Sequence, residues 1–141
     1  MLNVGKPKPE DTILISGLGS VGFSALFAAL SLGVKNIIAV DLVDSRLEQA
    51  KSFGASHVIN AKNEDPVAEV MKYTKDAGVR YAFECTGAPK ACRAAFVCSH
   101  LILRWWTYPG LAVYWCPRDD GANWRIYSAY GMPLCMHRES F

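Results

Sequence analysis

Apolar residues fall in short blocks along the first hundred positions, and the spacing inside the blocks alternates between two kinds. Ile13-Leu14-Ile15 is a continuous apolar run between Glu10-Asp11 and Gly17, as expected of a strand buried on both faces. From Val21 the pattern turns helical through Ala25, Ala28, Ala29 and Leu32, and Gly33 stops it. Asn36 to Val40 reads as a second buried strand. Ser45 and Glu48 have the spacing of a capping box, with Leu47, Ala50 and Phe53 on an inward face and Gly54 as the stop.

His57 to Asn60 predicts a short third strand. Asp65 followed by Pro66 opens a helix, since proline at the first helical position loses no hydrogen bond. Val67, Val70, Met71 and Thr74 line its face, and Asp76-Ala77-Gly78 ends it. Val79 to Glu84 predicts a fourth strand, and Pro89 to about Cys98 a helix packing through Ala91, Ala94, Ala95 and Val97. Regular alternation of strand and helix predicts an α/β fold: a partial, Rossmann-type doubly wound parallel sheet with about four clear strands.

The periodicity fades beyond residue 100. Residues 101–141 hold all four tryptophans without a sustained period. Leu111 to Trp115 is a candidate strand, and Arg104-Trp105-Trp106 reads as irregular packing or as an aromatic, cationic surface. The chain therefore divides into one α/β domain over 1–100 and an irregular tail over 101–141.

Composition changes this picture little. With 51% hydrophobic and 20% charged residues and a net charge of +2, the chain suits one globular domain and gives no argument for nucleic acid or an anionic membrane as partner. Thr12 to Val34 carries no charge, but its glycines and its strand-then-helix pattern argue against a membrane span. MLNVGKPKPED has no apolar core of a signal peptide. The five cysteines (85, 92, 98, 116 and 135) form no CxxC pair, which predicts reduced thiols in the cytoplasm. His57, His100 and His137 are isolated, so no zinc site is visible. Cys85 reads as a small buried hydrophobe without a histidine to activate it. No catalytic residue is assigned.

Chemistry enters at Gly17-x-Gly19-x-x-Gly22, between the first strand and the first helix. Gly17 permits a sharp turn, Gly19 leaves no Cβ in front of a pyrophosphate, and Gly22 lets helix and sheet approach. The unpaired N–H groups opening the helix, with the positive end of its dipole, then face the phosphates. Asp41 lies 19 residues beyond Gly22, where the second strand delivers a carboxylate to the adenosine ribose. A carboxylate there accepts from both ribose hydroxyls and repels a 2′-phosphate, favouring NAD over NADP. The alternative for Asp41 is a strand-end acid or a helix cap. Arg46 lies beside the adenosine or is a solvated helix residue. Thr86 and Gly87 fall at the carboxyl ends of the strands, where such folds bind ligands.

With RLExAKxxGAxHVIN and YAFECTGAP added to that turn and acid, residues from about Leu2 to Ala95 resemble the coenzyme domain of a medium-chain, zinc-type alcohol dehydrogenase. Within that family the aryl- or benzyl-alcohol dehydrogenase branch is most similar. The resemblance implies that Gly17, Gly19, Ser20, Val21 and Gly22 form the pyrophosphate turn of an NAD-binding Rossmann domain over 1–100. It implies Asp41 as the ribose acid, Arg46 as the basic adenosine neighbour and Thr86 as the residue closing over the cofactor. In intact relatives zinc polarises the alcohol oxygen while NAD accepts hydride.

The family's catalytic domain, its zinc ligands and its four-cysteine lobe have no counterpart here, so an NAD-binding domain inactive by itself is expected. The alternatives are a non-enzymatic nucleotide-binding or assembly module that self-associates through an exposed sheet edge, and a gene fragment without function. The codons of Tyr114-Trp115-Cys116, read one base later, give Ile or Thr, Gly, and Val or Ala. Trp105-Trp106 shifted likewise gives Gly-Gly. A frameshifted or misspliced tail after about Ala95 is therefore an expectation that the gene sequence tests.

Overall fold

Four parallel strands in the order β3-β2-β1-β4 carry the structure: β1 (Thr12–Ser16), β2 (Asn36–Asp41), β3 (His57–Asn60) and β4 (Tyr81–Glu84). This computed structural model describes residues 7–99 and, as backbone, 105–108, 111–113, 126–127 and 133–134. Helices α1 (Ser20–Ser31), α2 (Asp44–Phe53), α3 (Pro66–Thr74) and α4 (Pro89–Cys98) connect and flank the strands. β1 pairs with β2 through Ile13↔Ile37 and with β4 through Ile13↔Tyr81, while β2 meets β3 at Ile38↔His57. This is the partial Rossmann-type sheet that the alternation of elements predicts.

Both faces of the sheet are covered, which is why its strands are apolar at consecutive positions. Ile13, Ile15, Ile37 and Ala39 point to one side and join Leu26 and Ala29 of α1 and Leu47 and Ala50 of α2. Leu14, Ile38, Val40 and Ile59 point to the other side and join Val70 of α3 and Ala95 and Cys98 of α4. Burying each Ile or Leu contributes about 1.5–3 kcal/mol, so these two layers hold the strand ends in place.

Three helix faces differ from the sequence expectation. The buried stripe of α1 is Gly22, Leu26 and Ala29, while Val21 is 45% exposed. The close approach of Gly22 to the turn before it rotates the helix that way. The capping box of α2 does not form. Val43 is the N-cap without a side-chain bond, because the helix begins at Asp44, two residues earlier than a cap at Ser45 requires, and Asp41 accepts from the N–H groups of Leu42 and Val43 just before it. Phe53 is exposed rather than inward, and its ring meets those of Phe27 at 5.2 Å and Phe23 at 5.9 Å on the outer surface. In α4 the buried residues are Ala95 and Cys98, with Val97 turned out.

The Asp65 cap does form, its side chain accepting from Val67 N at 3.1 Å. Lys75 and Asp76 then end α3 in the left-handed region, at φ 53° and 62°. The fourth strand is shorter than Val79 to Glu84, since Val79 makes only an isolated bridge to Ser99. In the tail, β5 (Trp105–Tyr108) pairs antiparallel with β6 (Leu111–Val113), and β7 (Ile126–Tyr127) with β8 (Pro133–Leu134). The sequence readings at Arg104 and at Tyr114-Trp115-Cys116 lie outside the described residues. Among those described, no helix is long and apolar enough to cross a membrane.

Candidate dinucleotide site

The carboxyl ends of β1, β2 and β4 lie side by side, and the turn after β1 sits between the other two. Gly17 N donates to Val40 O and Cys85 N donates to Ser16 O, both at 2.7 Å. These bonds tie the turn to β2 on one flank and β4 on the other.

The three glycines have three different reasons. Gly17 adopts φ +91°, and a Cβ there would lie 2.5 Å from Thr86 Cγ2 and 3.2 Å from Thr86 N. A Cβ on Gly22 would overlap the carbonyl oxygen of Gly17. Gly19 is different: its φ of −77° suits any residue, and a Cβ would meet nothing within 4 Å. The protein's own packing therefore does not require glycine at 19; the gap it leaves is open space in front of α1.

That helix start is uncompensated. Gly19 caps α1 without a side-chain bond, and the first turn holds no acidic residue. The first main-chain bond of the helix runs from Phe23 N to Gly19 O at 2.9 Å. The N–H groups of Ser20 and Val21 find no acceptor among the described residues. Exposed donors and roughly half a positive charge at a helix N-terminus suit an anion.

Asp41 stands beside this turn and is buried. Its Oδ2 accepts from Leu18 N at 2.6 Å, and its Oδ1 accepts from Leu42 N at 2.8 Å and Val43 N at 3.0 Å. The strand-end reading of Asp41 is thus correct as far as it goes, but the bond to Leu18 also places the carboxylate against the turn. Of about four acceptor directions on a carboxylate, three are used, and the free one is on Oδ2. Arg46 Nη1 lies 3.8 Å from that oxygen with its side chain half exposed.

Thr86 faces the turn from the opposite flank. Its methyl group packs on Gly17, while its hydroxyl donates to Glu84 Oε1 and accepts from Ala88 N at 2.9 Å. All eight residues singled out in the sequence (Gly17, Gly19, Ser20, Val21, Gly22, Asp41, Arg46 and Thr86) therefore gather around one turn. Glu84 was not singled out. It is 2% exposed at the end of β4, and its signal, an acid closing an apolar strand, is the same one that marks Asp41.

Cys85, between Glu84 and Thr86, is held in its protonated thiol form at neutral pH. Burial, with the Glu84 carboxylate adding to it, pushes the thiol up to about 12. Among the described residues, no group of three or more His, Cys, Asp or Glu side chains is placed to hold a metal ion. Zinc therefore does not fit the donors present there.

The zinc-binding dehydrogenase family model matches residues 20–100. Alcohol dehydrogenase 1 of Trifolium repens is 47% identical over 100 residues, which are 70% of this chain and 26% of that protein. Alcohol dehydrogenase of Malus domestica is 44% identical over the same shares. Among solved structures, benzyl alcohol dehydrogenase from Acinetobacter calcoaceticus superposes with a TM-score of 0.68 at 45% identity, covering 71% of this chain and 27% of that one. The chain spans about a quarter of the length of the relatives it matches. A family match over more than half of the sequence, joined to a parallel sheet with the glycine turn at its carboxyl edge, places this chain in the zinc-binding dehydrogenase family, as the Rossmann-type coenzyme domain of a medium-chain alcohol dehydrogenase-like protein.

Proposed function

We propose that this chain binds a dinucleotide, with NAD preferred over NADP, and does not oxidise alcohols by itself. One observation carries the reading: the open space at Gly19 lies before the unpaired N–H groups of Ser20 and Val21, with Asp41 bonded to the same turn. The diphosphate would take those donors. One ribose hydroxyl would donate to the free direction on Asp41 Oδ2. A 2′-phosphate would meet the same carboxylate as a like charge. Arg46 would border the adenosine, and Thr86 the link towards the nicotinamide.

Bound nicotinamide supplies a hydride acceptor. What the described residues do is bind and orient; none of them is placed to polarise an alcohol oxygen. Calorimetric titration of the full chain with NAD, NADP and ADP-ribose tests the proposal. ADP-ribose and NAD are expected to bind alike and NADP at least tenfold more weakly. Equal affinity for NAD and NADP would remove the specificity assignment, and no binding by any of the three would remove the function.

A second reading, self-association, is supported by the exposed rings of Phe27 and Phe53, which cluster with Phe23, Phe27 stacked on it and Phe53 edge-on. A cytoplasmic setting is proposed on the thiols Cys85 and Cys98, which form no disulfide.

A further inference from the structure

Glu84 is a fully buried carboxylate that the proposed dinucleotide contacts do not use. It closes β4 opposite Ser16 of β1. Among the described residues its oxygens bond to the loop that follows: Oε1 accepts from Thr86 N at 2.7 Å and from the Thr86 hydroxyl, and Oε2 accepts from Gly87 N at 2.9 Å. Ala88 N donates in turn to the Thr86 hydroxyl. The Thr86 hydroxyl is held from both sides, and in that arrangement Cγ2 lies 2.5 Å from where a Cβ on Gly17 would stand.

We infer that Glu84 is a positioning residue for the diphosphate turn, acting through Thr86 to fix the wall against which Gly17 bends. It is the counterpart of Asp41 on the other flank. Asp41 holds the turn by pulling on Leu18 N, and Glu84 holds it by pressing the Thr86 methyl group on Gly17. A carboxylate suits this task because it accepts three donors at once and donates none. The amide of glutamine turns one acceptor into a donor, which would face the N–H of Gly87 or the hydroxyl of Thr86. This inference rests on the dinucleotide reading for its effect on binding, but not for its effect on the turn itself.

The sign of the binding change separates geometry from charge. Removing a negative charge near the turn favours an anionic ligand by Coulomb's law, so a charge effect alone tightens binding in Glu84→Gln. Loss of the wall weakens it. The test compares the full-length chain with Glu84→Gln, Thr86→Val and the double variant, by ADP-ribose calorimetry and by amide exchange without ligand. The Gly17 and Leu18 amides, bonded to Val40 O and Asp41 Oδ2, report on the turn; those of Ile38 and Val70 report on global opening.

Glu84→Gln is expected to weaken ADP-ribose about tenfold and to speed exchange at Gly17 and Leu18 more than at Ile38 and Val70. Thr86→Val should reproduce the direction of both changes, and the double variant should be no worse than Glu84→Gln, as required of two residues acting in series. Tighter binding in Glu84→Gln, additive losses in the double variant, or exchange that rises equally everywhere would each overturn the inference. If Glu84→Gln does not fold, Thr86→Val decides alone, and an unchanged turn overturns it. If the unsubstituted chain binds no ADP-ribose, the function proposed above falls while the exchange measurement still decides the role of Glu84.

Discussion

The main-chain N–H of Leu18 donates to Asp41 Oδ2 at 2.6 Å, so the carboxylate at the end of β2 grips the middle of the turn that follows β1. The two residues are 23 positions apart, and the bond closes the first βαβ crossover at the edge where a ligand would enter. Asp41 therefore shapes the turn before it meets any sugar.

Replacing Asp41 tests that double role. Asp41→Ala leaves the buried N–H of Leu18 and the partly buried N–H groups of Leu42 and Val43 without their acceptor, and a lost charged hydrogen bond costs about 1.5–3 kcal/mol. A fall in the urea midpoint of the full chain is expected together with loss of NAD binding. Unchanged stability would mean that water replaces all three bonds.

Glycine substitutions should split by cause. In Gly19→Ala the weaker N-cap and the stiffer unfolded chain act in opposite directions, so stability should change by less than about 1 kcal/mol. The new methyl group stands where a diphosphate would lie, and NAD affinity should drop strongly. In Gly22→Ala the methyl group overlaps Gly17 O, and overpacking of about 1–3 kcal/mol lowers the melting temperature. The reverse ranking of stabilities would show that the turn is built differently.

Alkaline pH should weaken the fold through two thiols. Burial pushes Cys85 and Cys98 up to about 12 from 9.0, with Glu84 and Asp65 adding respectively. Between those values the unfolded chain releases protons that the folded chain keeps, so stability is full below pH 9 and falls as pH rises towards 12. Melting temperatures of the unsubstituted chain and of Cys85→Ala/Cys98→Ala across that window should converge as pH rises. A constant gap between the two curves would contradict the assignment.

Chelation should leave nucleotide binding alone. The site is built from main-chain donors, one carboxylate and one guanidinium, so treatment with EDTA is expected to change ADP-ribose affinity by less than twofold. A larger loss would reveal a metal that supports the turn.

The aromatic trio predicts association if it serves as an interface. Phe27→Ser/Phe53→Ser removes two exposed rings and should lower any concentration-dependent rise in mass seen by light scattering. A mass that stays monomeric in the unsubstituted chain at all concentrations would leave the trio as surface alone.

Local sequence determined the strands, the helices and the place of the turn. A buried parallel strand must be apolar throughout, so Ile13-Leu14-Ile15 declares itself without neighbours, and the spacing of Gly17, Gly19 and Gly22 marks the turn, although the protein's own packing demands glycine only at 17 and 22. Asp65 before Pro66 did the same for α3. What the chain alone did not decide was direction and partnership. Ser45 and Glu48 had the spacing of a cap, yet the helix begins two residues earlier with Val43 as its cap, just after Asp41 accepts from Leu42 and Val43. Phe53 had the spacing of a core residue, yet α2 turned it towards Phe27. Glu84 looked like any strand-end acid until packing put Thr86 against Gly17. The reason is one of range: periodicity and turn chemistry act within a few residues, whereas the use of a buried carboxylate depends on donors brought beside it from distant segments when the sheet closes.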